Sequence, residues 1–404
     1  MFLSRSSLVR VLAVLAVTAM TLLATEGIFR LIGYPSSPTL GWRWDVSAYK
    51  SPENFGDKRV NQLGLRGRPI QYVGSDYVIL LVGDSFIEAG VQPFADMPEQ
   101  ILEDAFRQRH ATRNVRVFSI AAAGWAQDQE LVWLKHYFQG YRADLVVNFF
   151  TPVNDYWENS FIDRSTSPHA GPLKPTYRLA ADGKLEFVAD PSSPFKILEL
   201  VRRSLARIKA GSNISLENIY MHAWNDTLPQ SNLVPAARSD CPNLEVLQAD
   251  LVTAFRSGEG KITVVTSEDV PAGRTHYSPF MIPRSDREAY QIALTHRLLA
   301  EMQRTVASRG ADFRVFYPRS DIDLALQNIA CVKDEAYGRL YRVDMRDLFE
   351  LVSTSELAEL AISVDVASST PTIRSDQDWH LNRAGNEKAM GELADALMRA
   401  GKIK

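Results

Sequence analysis

Ser85 stands in Gly83-Asp84-Ser85-Phe86, directly after Tyr77-Val-Ile-Leu-Leu-Val82, an unbroken apolar run rich in β-branched and aromatic types. Such a run reads as a parallel strand buried on both faces. Gly83 permits a sharp turn at its end. A hydroxyl just past the carboxyl end of a strand lies where open α/β sheets bind ligands, which makes it a candidate nucleophile. It then needs a base, a group that orients the base, and donors for an oxyanion. The chain offers a candidate for each. His380 follows Asp378 in Asp378-Trp379-His380, Ala121 to Gly124 is a run of small residues that lets backbone N–H groups approach a ligand, and Asn154 lies in Val153-Asn154-Asp155.

The elements that must bring these stretches together follow a regular order. After the first strand, Ala95 to Arg109 has Ile101, Leu102, Ala105 and Phe106 at helical spacing. Val115 to Ile120 is the second predicted strand, Gln127 to Gln139 a second helix, and Asp144 to Phe150 the third strand. Strand, helix, strand, helix, strand is the pattern of a doubly wound parallel sheet, and it predicts a flavodoxin-like three-layer α/β sandwich. From Trp157 to about 260 the rhythm breaks, which predicts an insertion after the third strand. Within it, Thr176 to Phe187 reads as a hairpin turning at Asp182-Gly183, and Phe195 to Lys209 and Leu244 to Phe255 read as helices. Lys261 to Thr266 is then the fourth sheet strand and Asp312 to Tyr317 the fifth. Asp286 to Arg309 forms a long helix between them, Tyr341 to Met345 is a short extended piece, and a last helix runs to about Ala400. Asn61 to Pro69, ahead of the first strand, is either a loop packed near the site or a turn-rich surface segment.

Gly83-Asp84-Ser85-Phe86, Ala123-Gly124, Val153-Asn154-Asp155 and Asp378-Trp379-His380, in this chain order, resemble the motif blocks of the GDSL-like SGNH hydrolase superfamily. The resemblance covers roughly Asp76 to Phe150 and Asp376 to Ala400; the insertion lies outside it. It implies that Ser85 attacks an ester carbonyl, that His380 acts as base and then as acid, and that Asp378 orients His380. It also implies an oxyanion hole made of the Ser85 and Gly124 N–H groups and the Asn154 amide. Many members of that family place the acid three residues before the histidine, where this chain has Gln377. Asp378 is two before, and side chains two apart on an extended segment project to one side; Asp376 is the fallback. Ile87 replaces the last glycine of Gly-x-Ser-x-Gly, which argues against the α/β-hydrolase elbow. Each residue also has a structural reading: Ser85 as a helix cap, Gly124 as a turn residue, Asn154 as a loop hydrogen-bonder, His380 as a satisfied histidine. Asp155 reads as structural, His136 as exposed, His222 and His276 have no argued role, and Trp125 and Trp157 are either substrate platforms or packing.

The chain has 404 residues, 46% of them hydrophobic, with a net charge of −3. That is enough for a large core and carries no basic footprint, so nucleic acid is not an expected partner. Arg5 and Arg10 precede the fifteen uncharged residues Val11 to Thr25, followed by Glu26 and Arg30. Residues 1–32 read as an uncleaved signal anchor with its basic end in the cytosol; a cleaved signal and a buried helix of a cytosolic domain are the alternatives. Residues 33–74 read as a tether and cover, and 75–404 as the hydrolase-like domain. The two cysteines, Cys241 and Cys331, either pair in an oxidising compartment or remain free thiols. They show no metal-ligand spacing, and no cofactor is expected. Combined with the resemblance, these features predict a single-pass protein of a bacterial inner membrane whose periplasmic domain is a serine esterase acting on acyl, and among these acetyl, esters of an envelope or secreted polysaccharide. The alternatives are a polysaccharide O-acyltransferase with the same triad and a non-catalytic envelope scaffold. Oligomeric state is not set by the sequence.

Overall fold

The computed structural model describes residues 5–32, 60–90, 92–162, 174, 176–188, 195–198, 200–201, 204–205, 224, 226–242, 260–345, 357–368, 372–375, 378–401 and 403. In chain order the elements that matter here are α1 (Arg5–Ile32), β1 (Tyr77–Gly83), α2 (Ser85–Glu88), α3 (Pro98–Gln108), β2 (Val115–Ala121), α4 (Gln127–Tyr137), β3 (Leu145–Phe149) and α5 (Pro152–Glu158). A hairpin of β4 (Thr176–Leu179) and β5 (Leu185–Val188) comes next, then β6 (Ile262–Thr266), α6 (Asp286–Ala307), β7 (Asp312–Arg319), α7 (Asp321–Leu326), β8 (Ile329–Asp334) and β9 (Leu340–Arg342). The chain closes with β10 (Ala361–Asp365), β11 (Ile373–Ser375), β12 (Asp378–Leu381) and α8 (Arg383–Arg399). The predicted helix at Leu244 to Phe255, most of that at Phe195 to Lys209, the first part of the tether, and His222, Asp376 and Gln377 lie outside the described residues.

All seven residues of β1 are buried, as are all five of β3. Alternation along β1 feeds two cores. Val78, Leu80 and Val82 join Leu131 and Leu134 of α4 and Leu294 and Leu298 of α6 on one face. Ile79 and Leu81 join Leu102 and Phe106 of α3 and Leu393 and Leu397 of α8 on the other. The result is helices on both sides of a parallel sheet, three layers deep. The five strands lie in the order β10-β7-β3-β1-β2. Counted within the sheet this is 2-1-3-4-5, the flavodoxin-like order, whose topological switch point lies between β1 and β3. Ile79 pairs with Val117 on one side and Leu145 on the other, so the ends of β1, β2 and β3 are in register where the site residues leave the sheet.

One strand assignment is corrected. Ile262–Thr266 is a strand, but it pairs with β8 in a separate three-stranded sheet, β6-β8-β9. The fourth and fifth strands of the central sheet are β7 and β10. Apolar periodicity identifies a strand without identifying its neighbour. Ala361–Asp365, short and half-exposed at the sheet edge, carries its strand signal only in the alternation of Ile362 and Val364 with Ser363 and Asp365.

Cys241 and Cys331 are bridged, with their Cα atoms 5.7 Å apart and a separation of 90 positions along the chain. The bond ties the segment around Cys241 to β8. Closing a loop of this length stabilises the fold by about 4–5 kcal/mol in the chain-entropy model. Replacing both cysteines by serine is expected to lower the unfolding free energy by up to about that amount, measurable by urea titration followed by tryptophan emission.

α1 contains Val9–Leu31, 23 residues of mean hydropathy 2.0 with almost no burial against the rest of the chain. At 1.5 Å per residue this is about 35 Å, enough to cross the roughly 30 Å hydrocarbon core of a bilayer.

Candidate active site

Gly83 ends β1 where space is smallest. A Cβ there would lie 2.8 Å from Cγ1 of Ile87 and 3.2 Å from Cβ of Phe149, so only glycine lets α2 fold back this tightly. Asp84, buried, caps α2 by accepting a hydrogen bond from the Phe86 N–H at 2.9 Å. Capping, the structural role open to Ser85, therefore falls to Asp84. Ser85 is the first residue of the helix, half-buried, and among the described residues its hydroxyl has no hydrogen-bond partner. Arg66, from the loop ahead of β1, reaches under α2 and donates to the carbonyls of Glu88, Ala89 and Gln92 at 2.8, 2.5 and 2.7 Å. The Asn61–Pro69 loop thus packs beneath the turn that carries Ser85.

The turns after β2 and β3 converge on the same place. Gly124 is buried and has φ +73°, a left-handed conformation that a side chain disfavours. The neighbouring Ala123 N–H donates at 2.8 Å to the carboxylate of Glu88 on α2, which ties this turn to the serine turn. Asn154 lies in the first turn of α5, and its Nδ2 donates to the second carboxylate oxygen of Asp84 at 3.3 Å. One N–H of that amide is used there and the other remains to be offered elsewhere. Asp155 points inward and accepts from the Thr151 N–H at 2.8 Å and from Gln127 at 2.6 Å, holding α5 to α4.

Asp378 and His380 lie on β12, which pairs with β11 as a short antiparallel ribbon. Their spacing puts both side chains on one face. His380 Nδ1 lies 2.7 Å from Asp378 Oδ1, and the other carboxylate oxygen is 3.0 Å from Arg374. The imidazole rests against the ring of Phe86, centroids 5.1 Å apart, one residue from Ser85. With Nδ1 committed to Asp378, Nε2 is the nitrogen left for a proton on the serine side. Buried Gln92 clamps the ribbon from below: its amide donates to the Leu381 carbonyl and accepts from Asn386 of α8 at 2.9 Å. Gly385, at the start of α8, allows the close seating of the ribbon, since a Cβ there would lie 2.2 Å from the Thr372 carbonyl oxygen.

The carboxylates around the turn are sorted by environment. Burial pushes Asp84 above the ordinary aspartate range, against the pull of its hydrogen bonds and of His380. Burial and the charges of their neighbours push Glu130 and Asp155 well above it. Asp378 goes the other way: the hydrogen bond from His380 holds its carboxyl below the ordinary value, with Arg374 adding to the effect. Of the acids near His380, the half-exposed Asp378 is the one suited to remain charged beside an imidazolium.

The structure thus brings Ser85, Gly124, Asn154, Asp378 and His380 to the carboxyl end of the sheet. Trp125 and Trp157 are buried, Trp125 stacked on Trp133 at 5.3 Å, so both serve packing. His136 is half-buried, edge-on to Trp133. Two contributions were not legible in advance. Asp84 both caps α2 and orients Asn154, and its place in Gly-Asp-Ser was the available signal. Gln92 lies in no motif. Among the described residues no group of three or more histidine, cysteine or acidic side chains is arranged to hold a metal ion.

No family model matches the chain, and no curated protein matches it. Solved structures similar to it include an acetyl xylan esterase, AlAXEase, at 11% identity over 79% of this chain and 99% of that one, with a TM-score of 0.26. A serine-to-alanine mutant of the esterase AlinE4 matches at 12% identity over 60% of this chain and 77% of that one, with a TM-score of 0.22. Superpositions this loose carry no functional argument; the geometry of the site has to supply it.

Proposed function

We propose that the chain is a serine ester hydrolase of the SGNH type, held at a membrane by α1, whose disulfide-bonded domain acts outside the cytosol on acyl esters. The observation that carries the reading is the meeting of three segments at the sheet's switch point. Ser85 leaves β1, Asn154 leaves β3, and the Asp378–His380 pair is laid against Phe86 from a ribbon nearly 300 residues further on.

In this reading the Ser85 oxygen attacks the ester carbonyl carbon while His380 Nε2 takes its proton. The carbonyl oxygen becomes an oxyanion facing the Ser85 and Gly124 N–H groups and the Asn154 amide. Collapse of the tetrahedral species breaks the bond to the alkoxy oxygen, which receives the proton from His380 and departs as the alcohol. Water repeats the sequence on the acyl-serine and releases the acid. Asp378 stays ionised throughout and stabilises the imidazolium.

Labelling of the full-length protein in detergent by a fluorophosphonate, together with release of p-nitrophenol from p-nitrophenyl acetate, tests the reading. Absence of both would end it. Transfer of acetyl to an added oligosaccharide in preference to water would reassign it as an acyltransferase. Within the reading, Asn154→Ala is expected to lower kcat roughly 10²–10³-fold with little change in KM, because the lost donor acts on charge that exists only in the transition state. Steady-state kinetics on the same ester checks this.

A further inference from the structure

A second histidine–carboxylate pair sits in the segment between β6 and α6, and the proposed hydrolysis does not use it. Glu268 accepts from the ring Nδ1 of His276, from the His276 N–H at 2.9 Å and from the Thr275 hydroxyl. The half-buried imidazole lies edge-on between two indoles, 5.9 Å from Trp157 at 73° and 6.0 Å from Trp379 at 70°. These two tryptophans belong to two separate parts of the proposed site. Trp157 is on α5, one turn after Asn154. Trp379 is the residue between Asp378 and His380, and strand alternation directs it to the opposite face of the ribbon.

The ribbon needs such a support. β11 and β12 have three and four residues, and a two-stranded hairpin of this size is marginal on its own. Gln92 holds it at the Leu381 carbonyl and Asn382 at the Ile373 carbonyl, both at the end nearer α8. At the end that carries Asp378 and His380, the imidazole lies against Phe86 and Trp379 lies against His276 on the opposite face.

We infer that the His276–Glu268 pair is a positioning element, wedged between α5 and the ribbon, that fixes the Asp378–His380 pair relative to Asn154. The inference rests on the proposed ester hydrolysis for its effect on turnover, but not for its effect on the ribbon. The charged groups facing His276 are Glu268 from its own segment and Glu158 from α5, while the ribbon presents the uncharged Trp379. Burial works against charge on His276, yet Glu268 and Glu158 outweigh it and hold the imidazole above its ordinary value. Burial likewise opposes charge on Glu268, and His276 and Thr275 together keep that carboxyl below its ordinary range. Both shifts favour the charged forms of the pair, a carboxylate beside an imidazolium. A raised histidine contributes fully below its unfolded value and is lost as pH rises through the folded one.

Two substitutions separate the contributions. His276→Phe keeps a ring between the indoles and removes the donor, whereas His276→Gln keeps a donor for Glu268 without the charge. In the full-length protein in detergent, hydrogen exchange of residues 372–375 and 378–381 is expected to rise by about tenfold in His276→Phe, with β1 and β3 unchanged, because the ribbon opens locally. kcat for p-nitrophenyl acetate is expected to fall roughly 10- to 100-fold at nearly constant KM, since a misplaced base loses rate more than binding. His276→Gln is expected to restore most of both and to lack the decline in kcat expected of the wild type as pH rises through the His276 titration. Unchanged ribbon exchange in both variants overturns the inference, whether or not the wild type turns over. A loosened ribbon with undiminished kcat overturns it as well. A loosened ribbon in a protein whose wild type hydrolyses no ester sustains the positioning role and sinks only the ester reading. Should His276→Phe fail to fold, the exchange and kinetics of Glu268→Gln decide in its place, with the same outcomes expected.

Discussion

Ser85→Ala is expected to abolish ester hydrolysis, lowering kcat by roughly 10⁵–10⁶-fold, while leaving the fold as stable as before. The two halves of that expectation come from the same geometry. The Ser85 hydroxyl is half-exposed and has no hydrogen-bond partner among the described residues, so its removal leaves nothing buried and unpaired. The helix it begins is capped by Asp84, which the substitution does not touch. Stability is therefore expected to shift by no more than about 0.5 kcal/mol. The rate loss is large because the hydroxyl forms and breaks the acyl bond itself. The residual rate comes from the N–H of residue 85, Gly124 and Asn154, which still polarise the carbonyl for attack by water. For the same reason Ser85→Ala combined with His380→Ala is expected to be no slower than either alone, since base and nucleophile act as one unit. p-Nitrophenyl acetate turnover and fluorophosphonate labelling measure the first part, urea titration the second. Equal turnover by wild type and Ser85→Ala would remove Ser85 from the chemistry.

What could be read from the sequence divides along a physical line. Where a segment is buried on both faces, composition alone specifies it. Tyr77–Gly83 and Leu145–Phe149 are such segments, and from them the sheet, its parallel sense and the exits that carry Ser85 and Asn154 were legible. The pairing of Asp378 with His380 was legible from spacing, because two residues apart on an extended segment means the same side, and the segment is a strand. Features set by distant partners were not. Ile262–Thr266 has the composition of a sheet strand, but its partner is β8, and nothing local distinguishes the two sheets. Ala361–Asp365 alternates Ile362 and Val364 with Ser363 and Asp365 over only five residues, and its place beside β7 is set by the tertiary fold. Gln92 clamps the ribbon across 289 residues, and His276 acquires its neighbours only when α5 and the ribbon fold against it. Glutamine and histidine are common surface residues, so neither announces a contact that the tertiary fold alone creates.

Asp378→Asn is expected to lower kcat by about 10⁴-fold while preserving the outline of the site. Asparagine matches the shape of aspartate, but its amide nitrogen can donate to Nδ1 and so favour the tautomer that leaves Nε2 protonated. A proton on Nε2 prevents His380 from accepting the one on Ser85. The neutral side chain also offers no charge to an imidazolium, and the contact with Arg374 loses its ionic character. The pH dependence of stability carries an independent sign. Because His380 holds Asp378 below its ordinary value of 3.8, the pair contributes stability above the unfolded carboxylate value, and this is lost as pH falls through the folded one. Wild type and Asp378→Asn should therefore differ in unfolding free energy at neutral pH and converge on acidification below the ordinary carboxylate range. Urea titrations at a series of pH values measure the convergence, and kinetics on p-nitrophenyl acetate the rate. Asp84 also lies within electrostatic reach of His380, but burial raises it, and its oxygens are spent on Phe86 and Asn154. If Asp378→Asn keeps more than about a tenth of the wild-type kcat, well short of the loss expected for the acid of a triad, then Asp378 does not hold the imidazole for catalysis.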